Sequence, residues 1–363
     1  MKIINVVGAR PNFMKIAPLM AAYKNAPAIQ PVLVHTGQHY DERMSDLFFR
    51  QLGIPQPQVN LGVGSGSHAA QTAQIMTAFE PILLEQKPQA VLVVGDVNST
   101  IACGLVAVKL GVKLVHVEAG LRSGDRTMPE EINRLLTDAI SDLLFCTEPA
   151  GVENLAREGV PAEKVFLVGN VMIDTLLKNR QQAEDSPILE QLSLQSERYA
   201  VLTLHRPANV DDPAVFGGLL SALEAIQKDL PIVFPIHPRT MRNLSASNLA
   251  GRIEKMSNLR LIEPAGYLDF LKLMAHARLV LTDSGGIQEE TTILRVPCLT
   301  LRENTERPIT AQFGSNRIVG ADPENILPAY RQVMSGPPRT GQIPPLWDGH
   351  AAQRIVKILL EKL

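Results

Sequence analysis

The sequence predicts an α/β protein of two Rossmann-like domains, each a parallel sheet flanked by helices, with the two sheets facing a central cleft. Three observations predict it. Short apolar runs of strand length alternate with helical patterns almost from end to end, which is the signature of βαβ units. The runs are continuously rich in Val, Ile and Leu rather than alternating, as suits strands buried on both faces of a parallel sheet. The chain has 363 residues, more than one hydrophobic core usually holds.

In chain order, strands are expected at 2–7, 31–35, 90–94, 113–117, 142–146 and 165–168. Helices are expected between them, one from Ser67 (SHAAQTAQIMTAFEPILLEQ) and one from Ser99 (STIACGLVAVKLG), with Ser99 as N-cap and Gly111 as C-terminal stop. Over 178–198 the chain turns polar (KNRQQAEDSPILEQLSLQSER) before the alternation restarts, so a linker is placed near 170–198. Further strands are expected at 199–204, 231–236, 259–262, 278–282 and 297–301. The domains are accordingly drawn at 1–170 and 171–349, with the amphipathic segment 350–363 expected to dock as a helix on the first domain. Residues 91–120 and 279–306 read alike: strand, Asp in the exit loop, helix, short turn, strand, acidic loop. Two such halves place a ligand in the cleft at the carboxyl ends of their strands.

Composition excludes several function classes. A net charge of -2 with 20% charged residues gives no general affinity for nucleic acid or a membrane surface, so any anionic ligand needs a local basic cluster. No apolar run approaches the roughly 18 residues of a membrane span, and MKIINVV is too short for a signal-peptide core; a cytoplasmic protein is expected. Cys103, Cys146 and Cys298 match no disulfide or metal spacing and read as small core residues. His35 and His39 are four apart, but in a strand-to-loop context where helical ligand spacing has no meaning, so no metal site is expected.

Most unusual polar residues fall just after expected strands. GARPNFMK combines a glycine turn, Arg10, Pro11 at a helix start and Lys15 one turn in, an arrangement suited to an anion but equally to a solvated loop. Its spacing is not GxGxxG, so no dinucleotide fingerprint is present. In LTDSGGIQEE, Ser284, Gly285 and Gly286 sit between strand and helix, where backbone N–H groups approach a phosphate closely. Glu290, one turn further, is placed to accept both hydroxyls of a ribose; a tight structural turn is the competing reading. His237, in PIHPR, is a contact to the same ligand or a structural turn histidine. Candidates for acid–base work are Asp96 (GDVNST), Glu118 (HVEAG), Glu130 and Glu131 (MPEE) and His205 (TLHRP). Any one of them would serve as a cap or ion-pair partner. Several converging on one face are harder to explain so, although Arg122, Arg126 and Arg134 offer structural neutralisation.

The motifs GARPNFMK, TGQHYDERM, GDVNST, HVEAGLRSGD, MPEEINR, TLHRPAN, HPRT, TDSGGIQEE and TERP, in this order, resemble the non-hydrolysing UDP-N-acetylglucosamine 2-epimerases over nearly the whole chain. The resemblance implies a GT-B fold, a homodimer, no redox cofactor and no metal. It also implies interconversion of UDP-N-acetylglucosamine and UDP-N-acetylmannosamine, the latter a precursor for surface polysaccharide. It assigns the acid–base roles to Asp96, Glu118, Glu130 and His205. Nucleotide contacts fall on Arg10, Lys15, His237, Phe270, Ser284, Gly285, Gly286, Glu290 and Arg307. The spacer before PEE is shorter than in some members, which leaves Glu130 and Glu131 competing for one role. Members regulated by a second substrate molecule carry arginines where this chain has Gln71-Thr72-Ala73-Gln74 and, after His205-Arg206, Pro207.

The chemistry that the resemblance implies is elimination of UDP to a glycal, then re-addition. Departure of UDP gives C1 oxocarbenium character and so acidifies the C2 proton, which carboxylates then remove and return. Four other readings use the same features. They are a 2-epimerase of a UDP-diacetamido-uronic acid, a GT-B glycosyltransferase, a hydrolysing epimerase and a non-catalytic UDP-sugar sensor.

Overall fold

In the computed structural model, which describes residues 1–37, 49–236, 238–246 and 249–363, every strand pairing is parallel. The chain divides into two units, Met1–Lys178 with Pro345–Leu363, and Asn179–Pro344. The sequence places these boundaries at 170 and 349.

The first unit holds a seven-stranded sheet of β1 (Lys2–Val7), β2 (Gln30–His35), β3 (Val59–Asn60), β4 (Ala90–Val94), β5 (Lys113–Ala119), β6 (Leu143–Cys146) and β7 (Val165–Leu167), in the order β3-β2-β1-β4-β5-β6-β7. Its central strand β4 is apolar along its whole length because helices cover both faces: Val91, Leu92 and Val93 are fully buried. Helices Arg10–Tyr23, His68–Gln86, Asn98–Lys109, Pro129–Ile140 and Pro149–Arg157 follow β1, β3, β4, β5 and β6. Ser67 caps the second of these, its hydroxyl accepting from the Ala70 N–H at 3.2 Å. The helix after β4 starts two residues earlier than expected, with Val97 rather than Ser99 at the N-cap. Ser99 therefore lies inside the first turn, its hydroxyl bonded to Thr36 at 2.8 Å. The C-terminal helix Ala351–Lys362 packs on Arg10–Tyr23. Its first N–H groups, at Ala351 and Ala352, donate to the Asp174 carboxylate at 3.1 and 2.7 Å. Trp347, buried ahead of it, donates its indole N–H to the Thr147 carbonyl at 3.0 Å.

The second unit holds a six-stranded sheet of β8 (Ala200–Thr203), β9 (Ile232–Pro235), β10 (Leu259–Ile262), β11 (Leu279–Thr282), β12 (Cys298–Thr300) and β13 (Asn316–Ile318), in the order β10-β9-β8-β11-β12-β13. Leu202, Leu220, Phe234 and Leu281 form the heart of its core.

Two departures from the expected elements have simple causes. Residues 171–184 form a helix rather than a linker, because KNRQQAE is polar yet made mostly of good helix formers. The edge strands β3 and β13, VN and NRI, are too short and polar to leave an apolar run. Among the described residues no helix is long and apolar enough to cross a membrane.

Candidate active site

In both units the strand order reverses at the middle of the sheet, between β1 and β4 and between β8 and β11. Neighbouring helices then leave in opposite directions and open a crevice at the carboxyl ends of those strands, where open α/β sheets bind ligands. Most of the candidate residues cluster at these two points.

In the first unit the loop after β1 is pinned by Asn12. Its side-chain carbonyl accepts the N–H groups of Gly8 and Ala9 at 3.1 and 3.0 Å, and its amide donates to the Val94 carbonyl at 3.0 Å. The two turn N–H groups that the sequence offered to an anion are thus engaged within the protein. The side chain of Arg10 lies outside the described residues.

Lys15, one turn into that helix, forms a buried ion pair with Glu118. Glu118 itself adopts φ 74°, a left-handed conformation unusual for a residue with a side chain, where the pairing of β5 with β6 slips between Val117 and Ala119. Gly95, at φ 68°, follows β4; a Cβ there would lie 2.7 Å from Lys15 Nζ and 3.2 Å from Glu118 Oε2. Only glycine leaves room for that ion pair.

Asp96, next in the chain, keeps a partly exposed carboxylate 2.5 Å from the guanidinium of buried Arg134. Arg134 also binds Glu131 at 2.5 Å, and Glu131 accepts the N–H groups of Ser123 and Gly124 at 3.0 and 2.9 Å. Burial alone would raise the Glu131 carboxyl; the Ser123 and Gly124 N–H groups and Arg134 overcome it and hold the group below the usual carboxylate range. Glu131 is therefore the anchor of the 121–126 loop. Glu130, half-buried, stands beside it in the same first turn. Asn133 completes this side, donating to the Asp96 carbonyl at 2.9 Å.

In the second unit β11 is followed by Asp283, a fully buried carboxylate absent from the sequence candidates. It accepts the backbone N–H groups of His205 and Arg206 at 3.0 and 2.9 Å and faces His205 Nδ1 at 2.9 Å. Burial opposes the Asp283 charge, but His205 and those N–H groups prevail and keep its carboxyl below the normal range. The His205 ring, 39% exposed, is thereby held in one orientation at the exit of β8.

Ser284 begins the helix Gly285–Leu294 without a side-chain cap bond, and its N–H donates to Thr282 Oγ1 at 3.0 Å. Gly285 lies against Arg307 and Glu306, each with a side-chain atom 2.5 Å from where a Cβ would fall, so a side chain here would have to displace them. Gly286 is half-buried beside it, with its N–H among the first-turn donors that lack an intrahelical acceptor. Arg307, read from the sequence as a nucleotide contact, is held by Glu289 at 2.8 Å and Glu306 at 2.6 Å, with Arg302 on the other oxygen of Glu306 at 2.8 Å. Glu290 is buried and accepts from the Tyr267 hydroxyl at 3.2 Å; burial pushes its carboxyl up to about 8, against the hydrogen bond and helped by the charge of Glu289. Phe270 is half-buried on the helix Tyr267–Ala275 that supplies Tyr267. His237 lies outside the described residues.

The structure thus gathers Lys15, Asp96, Glu118 and Glu130 in one unit, and His205, Ser284, Gly285, Gly286, Glu290 and Arg307 in the other. Sequence reasoning missed Asp283 as a site residue, although it stands inside the TDSGG motif directly after a strand, where loops carry functional groups. Tyr267 carried no signal, since only folding brings it to Glu290.

The chain matches the family model described as UDP-N-acetylglucosamine 2-epimerase over residues 21–360. A UDP-N-acetylglucosamine 2-epimerase of Methanococcus maripaludis is 42% identical over 363 residues, 99% of this chain and 98% of that one. A UDP-2,3-diacetamido-2,3-dideoxy-D-glucuronate 2-epimerase of Pseudomonas aeruginosa is 41% identical over 367 residues, 99% of either chain. The crystal structure of the Methanocaldococcus jannaschii UDP-GlcNAc 2-epimerase in complex with UDP-GlcNAc and UDP matches with a TM-score of 0.94 at 42% identity, covering 99% of this chain and 100% of that one. With a match that leaves out little more than the first strand and helix, this chain belongs to the UDP-N-acetylglucosamine 2-epimerase family.

Proposed function

We propose that this protein is an isomerase that interconverts UDP-N-acetylglucosamine and UDP-N-acetylmannosamine at C2, in the cytoplasm and as a homodimer, to supply surface polysaccharide synthesis. The observation that carries this reading is the first unit's pair of strand-exit carboxylates, Asp96 and Glu118, each beside a buried cation, Arg134 and Lys15.

The C2 proton of the sugar is not next to a carbonyl, so a base alone does not remove it. Departure of UDP from C1 first makes it acidic. The second unit is suited to the leaving group: Ser284, Gly285 and Gly286 bring N–H groups and a hydroxyl to the diphosphate, and Glu290 takes the ribose hydroxyls. Arg10, His237, Phe270 and Arg307 are assigned to the same nucleotide. His205, oriented by Asp283, steadies the diphosphate as charge develops on the bridging oxygen. In the first unit Asp96, Glu118 and Glu130 move the C2 proton off one face and back to the other. Lys15, assigned to the nucleotide as well, also holds Glu118.

A second reading has a specific observation behind it: the Pseudomonas relative, named for a diacetamido-glucuronate, is nearly as similar as the Methanococcus one. Incubation with each UDP-sugar in D₂O, followed by NMR, separates the readings. Deuterium entering C2 of UDP-N-acetylglucosamine as the manno epimer forms is the expected result; exchange with the uronate alone overturns the assignment. Asp96→Asn and Glu118→Gln are expected to lower kcat for that exchange on the order of 10²-fold, with UDP affinity unchanged. Near wild-type exchange in both variants would make these carboxylates structural.

A further inference from the structure

Residues that touch a substrate need others to aim them, and in the first unit one buried pair is connected to every carboxylate given a role. His116, in the middle of β5, is fully buried, and both of its ring nitrogens face acceptors. Nδ1 lies 2.6 Å from Asp138 Oδ1 and Nε2 lies 2.9 Å from the Gly95 carbonyl. A carbonyl oxygen can only accept. Asp138 accepts as well, because its second oxygen takes the Gly120 N–H at 3.0 Å and the Arg122 guanidinium at 2.7 Å. A neutral imidazole donates once; a ring donating at both nitrogens is an imidazolium. Burial opposes charge on Asp138, while His116 and Arg122 lower its carboxyl below the ordinary range, in keeping with that picture.

The partners of the pair are informative. Through Gly95 it grips the residue before Asp96. Through His116 and Gly120 it holds the chain two residues before and two residues after Glu118, which spans between them at φ 74°. Asp138 also rides on the helix Pro129–Ile140, whose first turn carries Glu130. A site that needed only filling would take an apolar residue, since buried ion pairs seldom improve stability over a packed core. Here the pair is bonded to backbone groups adjoining the acid–base residues.

We propose that His116 and Asp138 are positioning residues for C2 proton transfer: the doubly donating imidazolium of His116, held by Asp138, sets the Asp96 loop and the Glu118 turn in register with each other. This rests on the function proposed above and adds a role for two residues outside the acid–base set.

The test combines spectroscopy with kinetics on the whole chain. With ¹⁵N-labelled histidine, both ring nitrogens of His116 are expected to carry a proton, one in the bond to Asp138 and one in the bond to Gly95; a neutral-imidazole signal overturns the proposal. His116→Gln and Asp138→Asn are expected to lower kcat for C2 exchange by about 10²-fold, the scale of an ångström-sized misplacement, with KM and UDP affinity within about twofold of wild type. The double variant should lose no more than the worse single one. Folded variants with kcat near wild type refute the idea. Should neither variant fold, Arg122→Gln, which reaches Asp138 from a partly exposed position, decides instead: lowered kcat at constant KM supports the proposal, and unchanged kcat refutes it. Absence of C2 exchange in the wild-type protein would strike at the proposed function instead.

Discussion

Gly95 has no room for a side chain. Its φ of 68° already disfavours any other residue, and the missing Cβ is what lets Lys15 reach Glu118. Gly95→Ala is therefore expected to cost about 1 kcal/mol from backbone strain, lowering Tm by a few degrees, and to part the ion pair. Calorimetry and C2 exchange should show the two losses together, with UDP affinity preserved. Glu290 makes a different prediction, because its carboxyl is raised in the folded protein from 4.5 to about 8. The folded form then binds the extra proton, so its contribution is fully present below about 4.5 and is lost as pH rises through about 8. Unfolding of the ligand-free protein should show stability falling over that window, by up to about 1.4 kcal/mol per pH step of one. Glu290→Gln should flatten that part of the profile; an unchanged slope would show that Glu290 does not cause it. The position of Glu290 one turn into a helix was legible in the sequence, but its raised carboxyl was not, since that depends on burial and on Tyr267 and Glu289.

At the scale of elements, what the sequence disclosed followed from how parallel strands are buried. Runs such as VLVV and LVLT, covered on both faces, announce themselves, and the polar residues after them were found because strand exits are where loops carry function. His116 escaped notice because a single polar residue inside the apolar run LVHVEAG reads as a break in a pattern rather than as a group with two partners. Spacing alone left Glu130 and Glu131 competing for one role, and it could not show that Glu131 accepts the N–H groups of Ser123 and Gly124, which depends on the fold of the 121–126 loop. The C-terminal helix gives an element-scale prediction. It lacks a cap of its own, and Asp174 from another helix accepts its first N–H groups. Asp174→Ala should cost about 0.5–2 kcal/mol, as other lost caps do. Hydrogen exchange should localise the loosening to residues 351–362; protection there equal to wild type would contradict this role.

For the whole molecule, the covalent order of the chain differs from its structural grouping. The first unit takes both ends of the sequence, Met1–Lys178 and Pro345–Leu363, and the second is inserted between them. Trp347, fully buried against Thr147, and the last helix, packed on Arg10–Tyr23, are thus integral to the unit that carries Asp96 and Glu118. Deleting residues 345–363 should destabilise the first unit and abolish epimerisation while the second unit still unfolds cooperatively and binds UDP. A truncated protein with full activity would rule this out. The same arrangement bears on how the chain is made. A ribosome delivers residues 179–344 before residues 345–363, so the second unit is complete while the first still lacks a segment of its core. During that interval the apolar face later covered by Ile355, Val356 and Leu359 stands open, and nascent-chain quality control would meet the protein there.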